Sequence, residues 1–117
     1  MSTLPQPQRG EVWVVQLNPT RGHEQAGRRP VLIVSVNPFN ASPASLVYVA
    51  PITRTARNIP LHVPVVPPEG GLRASSVILC DAVRSISVER LEEGPWGSIS
   101  LATMALVEDR LRRVFGL

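Results

Sequence analysis

From Glu11 the chain runs EVWVVQL, and from Pro30 PVLIVSV: short blocks rich in β-branched residues and closed off by Pro, Gly and Asn, the pattern of buried strands. Residues 46–52 (LVYVAPI) and 61–66 (LHVPVV) repeat it. Pro51 and Pro64 mark edges or bulges there, since proline has no N–H to give to a ladder. After the turn signal PPEGG at 67–71, residues 76–80 (SVILC) and 82–88 (AVRSISV) add two more strands. The connections are short and polar, and no crossover helix intervenes. That argues for an antiparallel barrel or rolled sheet and against a parallel α/β fold. Only the end of the chain changes period. Leu101, Met104, Val107, Leu111 and Val114 fall in steps of three and four, one face of a helix, with Ser100 as N-cap and Gly116 as stop. Glu108 and Asp109 stand four residues before Arg112 and Arg113, a spacing read as a solvated, pair-supported face.

Composition narrows the class. The 117 residues fit one domain over 9–117, preceded by a loose tail at 1–8. No apolar run approaches the roughly 18 residues of a membrane span, and MSTLPQPQRG lacks the basic patch and apolar stretch of a secretory signal. A single cysteine, Cys80, excludes an internal disulfide and every multi-cysteine zinc pattern; it reads as buried and inert, in keeping with a reducing cytoplasm. All 12 basic residues are arginine. Residues 1–84 carry eight of them against four acids, while residues 85–117 carry four against five. The positive excess therefore lies in the loops of the strand region, where an anionic partner is favoured.

No phosphate-binding glycine loop, helical zinc-binding His pair or GxSxG elbow occurs, so no cofactor is expected. What remains is the loop NPTRGHEQAGRR at 18–29, which holds His23, Glu24, Gln25, Arg28 and Arg29. Two further polar clusters follow strands: Thr53, Arg54, Thr55 and Arg57, then Asp81 and Arg84. At one end of a small barrel such loops converge. Taken alone, each residue has a plainer reading. Arg29 would pair with Glu24 or Asp81, Thr53 would satisfy strand-end backbone groups, and His23 is evenly a loop hydrogen-bonder or a proton carrier. Glu24 and Gln25 would brace the loop, and Arg54, Arg57 and Arg84 are phosphate contacts or solvated surface. Trp13 and Trp96 read as core or interface ahead of base-stacking platforms.

The segments RGEVWVVQLNPTRGHEQAGRRPVLIVS, PITRT and CDAVRSI, with the closing helix, resemble the MazF/PemK family of toxin endoribonucleases from type II toxin–antitoxin systems. The likeness runs from about Arg9 to Leu117. It implies a mainly β, SH3-like antiparallel barrel with a C-terminal α-helix, a cytoplasmic homodimer, and metal-independent, sequence-selective cleavage of single-stranded RNA. It further implies 2′,3′-cyclic phosphate and 5′-hydroxyl ends, and neutralisation by a MazE-like antitoxin whose acidic segment occupies the RNA site. Such cleavage uses the RNA's own 2′-hydroxyl, so the protein supplies only positioning, proton transfer and donors to phosphate. By resemblance Arg29 and Thr53 are the active pair. Glu24, Gln25, Arg28, Arg54, Asp81 and Arg84 are substrate contacts. A second arrangement within the family gives proton transfer to His23 and Asp81, but the arginine that assists it is Leu79 here, and Ala82 replaces a frequent Gln. Two rivals share the barrel: a CcdB-like gyrase poison, which acts through the C-terminal helix and has no need of the GHEQ loop, and a non-catalytic barrel that binds RNA or an acidic peptide.

Overall fold

The computed structural model describes residues 5–17, 27–56 and 58–117. His23, Glu24, Gln25 and Arg57 lie outside them. Within the described residues the chain forms seven strands: β1 (Glu11–Gln16), β2 (Arg28–Ile33), β3 (Leu46–Thr53), β4 (His62–Val65), β5 (Ser76–Leu79), β6 (Arg84–Ser87) and β7 (Leu91–Ser98). One helical turn, α1 (Asn37–Asn40), follows β2, and the helix α2 (Leu101–Phe115) closes the chain. Six strands fall inside the expected blocks or within two residues of them. The seventh, β7, and the turn α1 were not expected.

All pairings are antiparallel. The strand order is β4-β5-β3-β2-β1-β7, with β6 also on β3. One edge of β3 pairs with β2; along the other, residues 46–49 pair with β6 and residues 52–53 with β5. Pro51, which cannot donate, sits where β3 changes partner, and Pro64 is exposed on the edge strand β4. Among the described residues β4 and β7 do not pair, so the barrel is rolled but not closed.

The apolar runs are continuous because both faces of the central strands are covered. Trp13, Val15, Val31, Ile33, Val47 and Val49 form one cluster with Ile86 of β6 and Leu91 of β7. In a flat five-stranded sheet β6 and β7 would lie about 19 Å apart. Their meeting in one cluster, across the three-residue 3-10 turn Val88–Arg90, shows how far the sheet curls. The residues between them in register, Val12, Leu32, Ala50 and Ile52, join Val63, Val65, Ile78, Met104 and Val107 in a second cluster under α2.

Ser100 caps α2 by accepting the Thr103 N–H at 3.1 Å, and Gly116 ends it in the left-handed conformation (φ 70°) that favours glycine. Only part of the expected stripe is buried. Met104 and Val107 are, whereas Leu101 is 91% exposed. The charged face also departs from expectation. Asp109 pairs with Arg113 at 3.1 Å, but Glu108 turns to Arg9 at 2.9 Å and ties α2 to the start of β1. Of the expected tail, residues 5–8 are held: the Gln6 amide donates to the Asn40 carbonyl at 2.7 Å, and the Gln8 N–H to Glu11 at 2.7 Å.

Candidate nucleic-acid interface

The register of β2 and β3 pairs Val31 with Pro51. Continued by two residues, it sets Arg29 opposite Thr53, so residues 24 positions apart in sequence meet where the two strands splay. A groove of about 410 Å³ opens there. Arg28, Arg29 and Pro30 form one wall, Ile52, Thr53, Arg54 and Thr55 a second, and the β4–β5 connection contributes Leu72, Arg73 and Ala74. Ser76 and Trp96 complete it. Four guanidiniums and several hydroxyls thus face one space, and none of its described lining residues carries a carboxylate. Such a surface attracts phosphate, and arginine's planar fork suits two phosphate oxygens at once.

The surroundings prepare these groups. Thr53 Oγ1 accepts the Thr55 N–H at 3.3 Å, the strand-end role read from sequence, but its own hydroxyl proton stays available for donation. Arg28 is steered from outside the groove: its Nε lies 2.9 Å from Glu92, with Nη2 4.0 Å from Glu93. Glu93 in turn accepts the Trp96 indole N–H at 2.6 Å. Leu17 N–H donates to the Gly27 carbonyl at 2.9 Å, so these two residues meet next to Arg28; His23, Glu24 and Gln25 lie outside the described residues.

Asp81 and Arg84 stand apart from this groove. Ser76, at the groove, and Leu79 are the two ends of β5, about 10 Å apart, and Asp81 lies in the 3-10 turn beyond Leu79. There it accepts a hydrogen bond from His62 Nε2 at 2.9 Å, and His62 is almost wholly enclosed (7% exposed). Its Nδ1 is buried with no hydrogen-bond partner among the described residues. Arg84 pairs across from Val49, four residues back along β3 from Thr53. The neighbouring Cys80 is buried, and that burial pushes its thiol up to about 11, against a smaller lowering by Arg110. Among the described residues no three His, Cys, Asp or Glu side chains are placed to share a metal ion, and no helix is long and apolar enough to cross a membrane.

Of the candidates read from sequence, the structure therefore brings together Arg28, Arg29, Thr53 and Arg54. Sequence reasoning did not single out Arg73, Trp96 or His62 for these places. Arg73 showed only as one charge after PPEGG, and His62 was absorbed into an apolar strand pattern.

Comparison with known proteins bears on this arrangement. Residues 8–115 match the family model described as PemK-like, MazF-like toxin of type II toxin-antitoxin system. The chain is 41% identical over 97 residues to endoribonuclease PemK of Escherichia coli, covering 75% of this chain and 70% of that one. It is 34% identical over 109 residues to endoribonuclease MazF9 of Mycobacterium tuberculosis, covering 89% and 92%. Among solved structures, MazF of Deinococcus radiodurans superposes with a TM-score of 0.83 at 29% identity over 95% of this chain and 97% of that one. A mycobacterial endoribonuclease in complex with its cognate antitoxin gives 0.79 at 27% identity over 95% and 96%.

Proposed function

The chain belongs to the PemK-like, MazF-like toxins of type II toxin–antitoxin systems, and on that premise we propose that it is an endoribonuclease cutting single-stranded RNA in the groove between Arg29 and Thr53. The observation that carries this reading is the convergence of Arg28, Arg29, Arg54 and Arg73 with the Thr53 hydroxyl in a space that no described carboxylate lines.

In the reaction the 2′-oxygen of the RNA attacks the adjacent phosphorus, the O2′–P bond forms, and the P–O5′ bond breaks. The products are a 2′,3′-cyclic phosphate and a 5′-hydroxyl. The protein has three tasks. Arg29 takes up the charge that accumulates on the phosphoryl oxygens of the pentacoordinate state, where fixed donors count most. Thr53 donates its hydroxyl to phosphate and holds it in line. A proton must leave the 2′-oxygen and another must reach the departing 5′-oxygen. The described lining offers cations and hydroxyls but neither imidazole nor carboxylate; His23, in the sequence between Leu17 and Gly27, is the group we assign to proton transfer. Glu24 and Gln25 of the same segment contact substrate, with Arg28 and Arg54 on phosphate. No metal is required by this scheme, because the nucleophile comes from the RNA and the countercharge from arginine.

An antitoxin with an acidic segment fits the same groove, since carboxylates satisfy guanidiniums as phosphates do. The toxin works as a homodimer in the cytoplasm. An exposed apolar face supports the dimer: Tyr48, Phe115 and Leu117, with exposures of 44%, 59% and 88%, border one depression between β3 and the end of α2.

The test is to incubate the protein and its Arg29→Ala variant with a long RNA in the presence of EDTA, then identify the cut ends. The proposal expects wild-type cleavage with cyclic phosphate ends. Intact RNA overturns the ribonuclease reading, and a variant that cuts as fast overturns the role of Arg29.

A further inference from the structure

Among the described residues Trp96 is the one aromatic side chain that lines the groove. It lies on β7, packed in part against the core under α2, and is only half-buried. Two contacts hold it, and a further ion pair holds its partner Glu93. Its indole N–H is bound to Glu93 at 2.6 Å. Glu93 belongs with Glu92 to the carboxylate pair that holds Arg28. Behind it, the Gly70–Gly71 turn packs backbone to backbone on β7, so closely that a Cβ on Gly71 would collide with the Trp96 carbonyl. The chain's other tryptophan, Trp13, is fully enclosed.

An immobilised indole among four guanidiniums is the combination that single-stranded nucleic acid requires: cations follow the phosphates, and a flat apolar surface receives a base. Because the ring is held before the ligand arrives, little side-chain freedom remains to be lost on binding. We infer that Trp96 is the base-stacking platform of the groove and sets a graded purine preference at one nucleotide of the bound strand. The grading follows from the hydrogen bonding. The indole N–H is engaged by Glu93, so Trp96 reads its base through stacked area, in which a purine exceeds a pyrimidine, and not through an edge-specific hydrogen bond. This inference rests on the proposed RNA groove and adds a specificity residue to it.

Binding of 2′-O-methyl oligomers, which lack the attacking hydroxyl and cannot be cut, separates the inference from the activity. The 10-mers of adenosine and of uridine are titrated against the wild type, Trp96→Phe and Trp96→Leu, with tryptophan emission as readout. The wild type is expected to bind the adenosine oligomer more tightly and to lose emission as it binds. Removing the stacking surface in Trp96→Leu weakens binding of that oligomer roughly 5- to 150-fold and levels the two oligomers. Trp96→Phe keeps most of the affinity and the preference, while its remaining emission, from Trp13, no longer responds.

Equal affinities of wild type and Trp96→Leu overturn the inference, as does a quench that persists in Trp96→Phe. Should Trp96→Leu fail to fold, as seen by circular dichroism, Trp96→Phe and the wild-type quench decide. The two readings fail differently. Quenched binding with long RNA left intact removes the ribonuclease and keeps the platform. Cleavage with an unchanged KM in Trp96→Leu, and no quench, removes the platform and keeps the ribonuclease.

Discussion

The two ends of β5 differ in how their charged groups are placed. At the Ser76 end, Arg28, Arg29, Arg54 and Arg73 face a common space that no described carboxylate lines. At the Leu79 end, ionic groups are turned on one another and on the backbone. His62 meets Asp81, Arg110 donates to the Pro60 carbonyl at 2.9 Å and to Asp109 at 2.5 Å, and Asp109 also takes Arg113. Guanidiniums gathered around one space, with Arg28 held from outside by Glu92 and Glu93, favour an anion there, whereas at the other end Arg110 ties α2 to the segment before β4. On the proposed function the first end receives the ligand and the second serves the fold.

The largest effect should come from the ligand end. On the proposed mechanism Arg29→Ala removes the cation that meets the charge growing in the transition state, an expected loss on the order of 10²–10³ in kcat. Arg29 is half-exposed at a strand terminus, so urea unfolding should show little change. Asp81 makes the opposite case. Asp81→Ala strips the enclosed His62 of its hydrogen-bonded partner and leaves both ring nitrogens unsatisfied, at a cost of about 1–3 kcal/mol in urea unfolding. Asp81→Asn, which still accepts from Nε2, should recover most of it. Single-turnover cleavage at saturating RNA should stay near wild type in both. If Asp81→Asn instead cuts as poorly as Arg29→Ala while unfolding normally, the two ends form one site and the comparison is broken.

How far this division was visible in the sequence differs between its halves. The strands β1, β2, β3 and β5 were legible because their runs are largely buried, β4 and β6 because short β-branched blocks stand between turn signals, and α2 because its caps and period agree. β7 was not: LEEGPWGS buries only Leu91, and its exposed Glu92, Glu93 and Pro95 resemble a loop more than a strand. It is an edge strand held by β1 with two register shifts, a placement set by tertiary pairing and not by local pattern. Missing β7 meant missing the groove's fourth wall, and with it the place of Trp96. Arg29 and Thr53 were identifiable through their resemblance to a known motif. Arg73 and Trp96, at distant positions, enter the groove only once the sheet has curled. The His62–Asp81 pair was hidden for the same reason, since adjacent strands β4 and β5 bring it together across 19 residues.

A smaller effect tests the fold end by chemistry. With its thiol raised to about 11 by burial, Cys80 is thiolate in roughly one molecule in a thousand at pH 8. Because the thiol is also buried, labelling by an aromatic disulfide requires the fold to open, and where reclosing outpaces the reaction Asp81→Ala should accelerate it by the same factor that it destabilises the fold. Rapid labelling of the folded wild type would show that the junction under α2 opens locally and is not the fastened end described here.

The smallest predicted effect links the two ends. Glu69, in the β4–β5 connection, accepts the Ser100 N–H at 2.8 Å at the start of α2. The Thr103 hydroxyl first, then that Ser100 N–H, hold its carboxyl below the ordinary value of 4.5, against a weaker opposing effect of burial. A carboxylate whose value is lowered by folding stabilises the protein fully above 4.5, and the stabilisation fades as pH falls through the lowered value. Glu69→Gln keeps an acceptor but loses the charge at the helix N-terminus, so it should cost about 0.3–1 kcal/mol at pH 7. The two proteins should converge in stability as the medium is acidified below pH 4.5. The same change should reach the groove, because Gly70, Gly71, Leu72 and Arg73 follow Glu69 directly and carry the turn that packs on Trp96. A modest rise in KM for RNA with kcat unchanged is the expected signature. An acid-dependent stability difference without any change in KM would mean that α2 and the groove are mechanically separate, and that the connection between them is held by its glycine contacts with β7 alone.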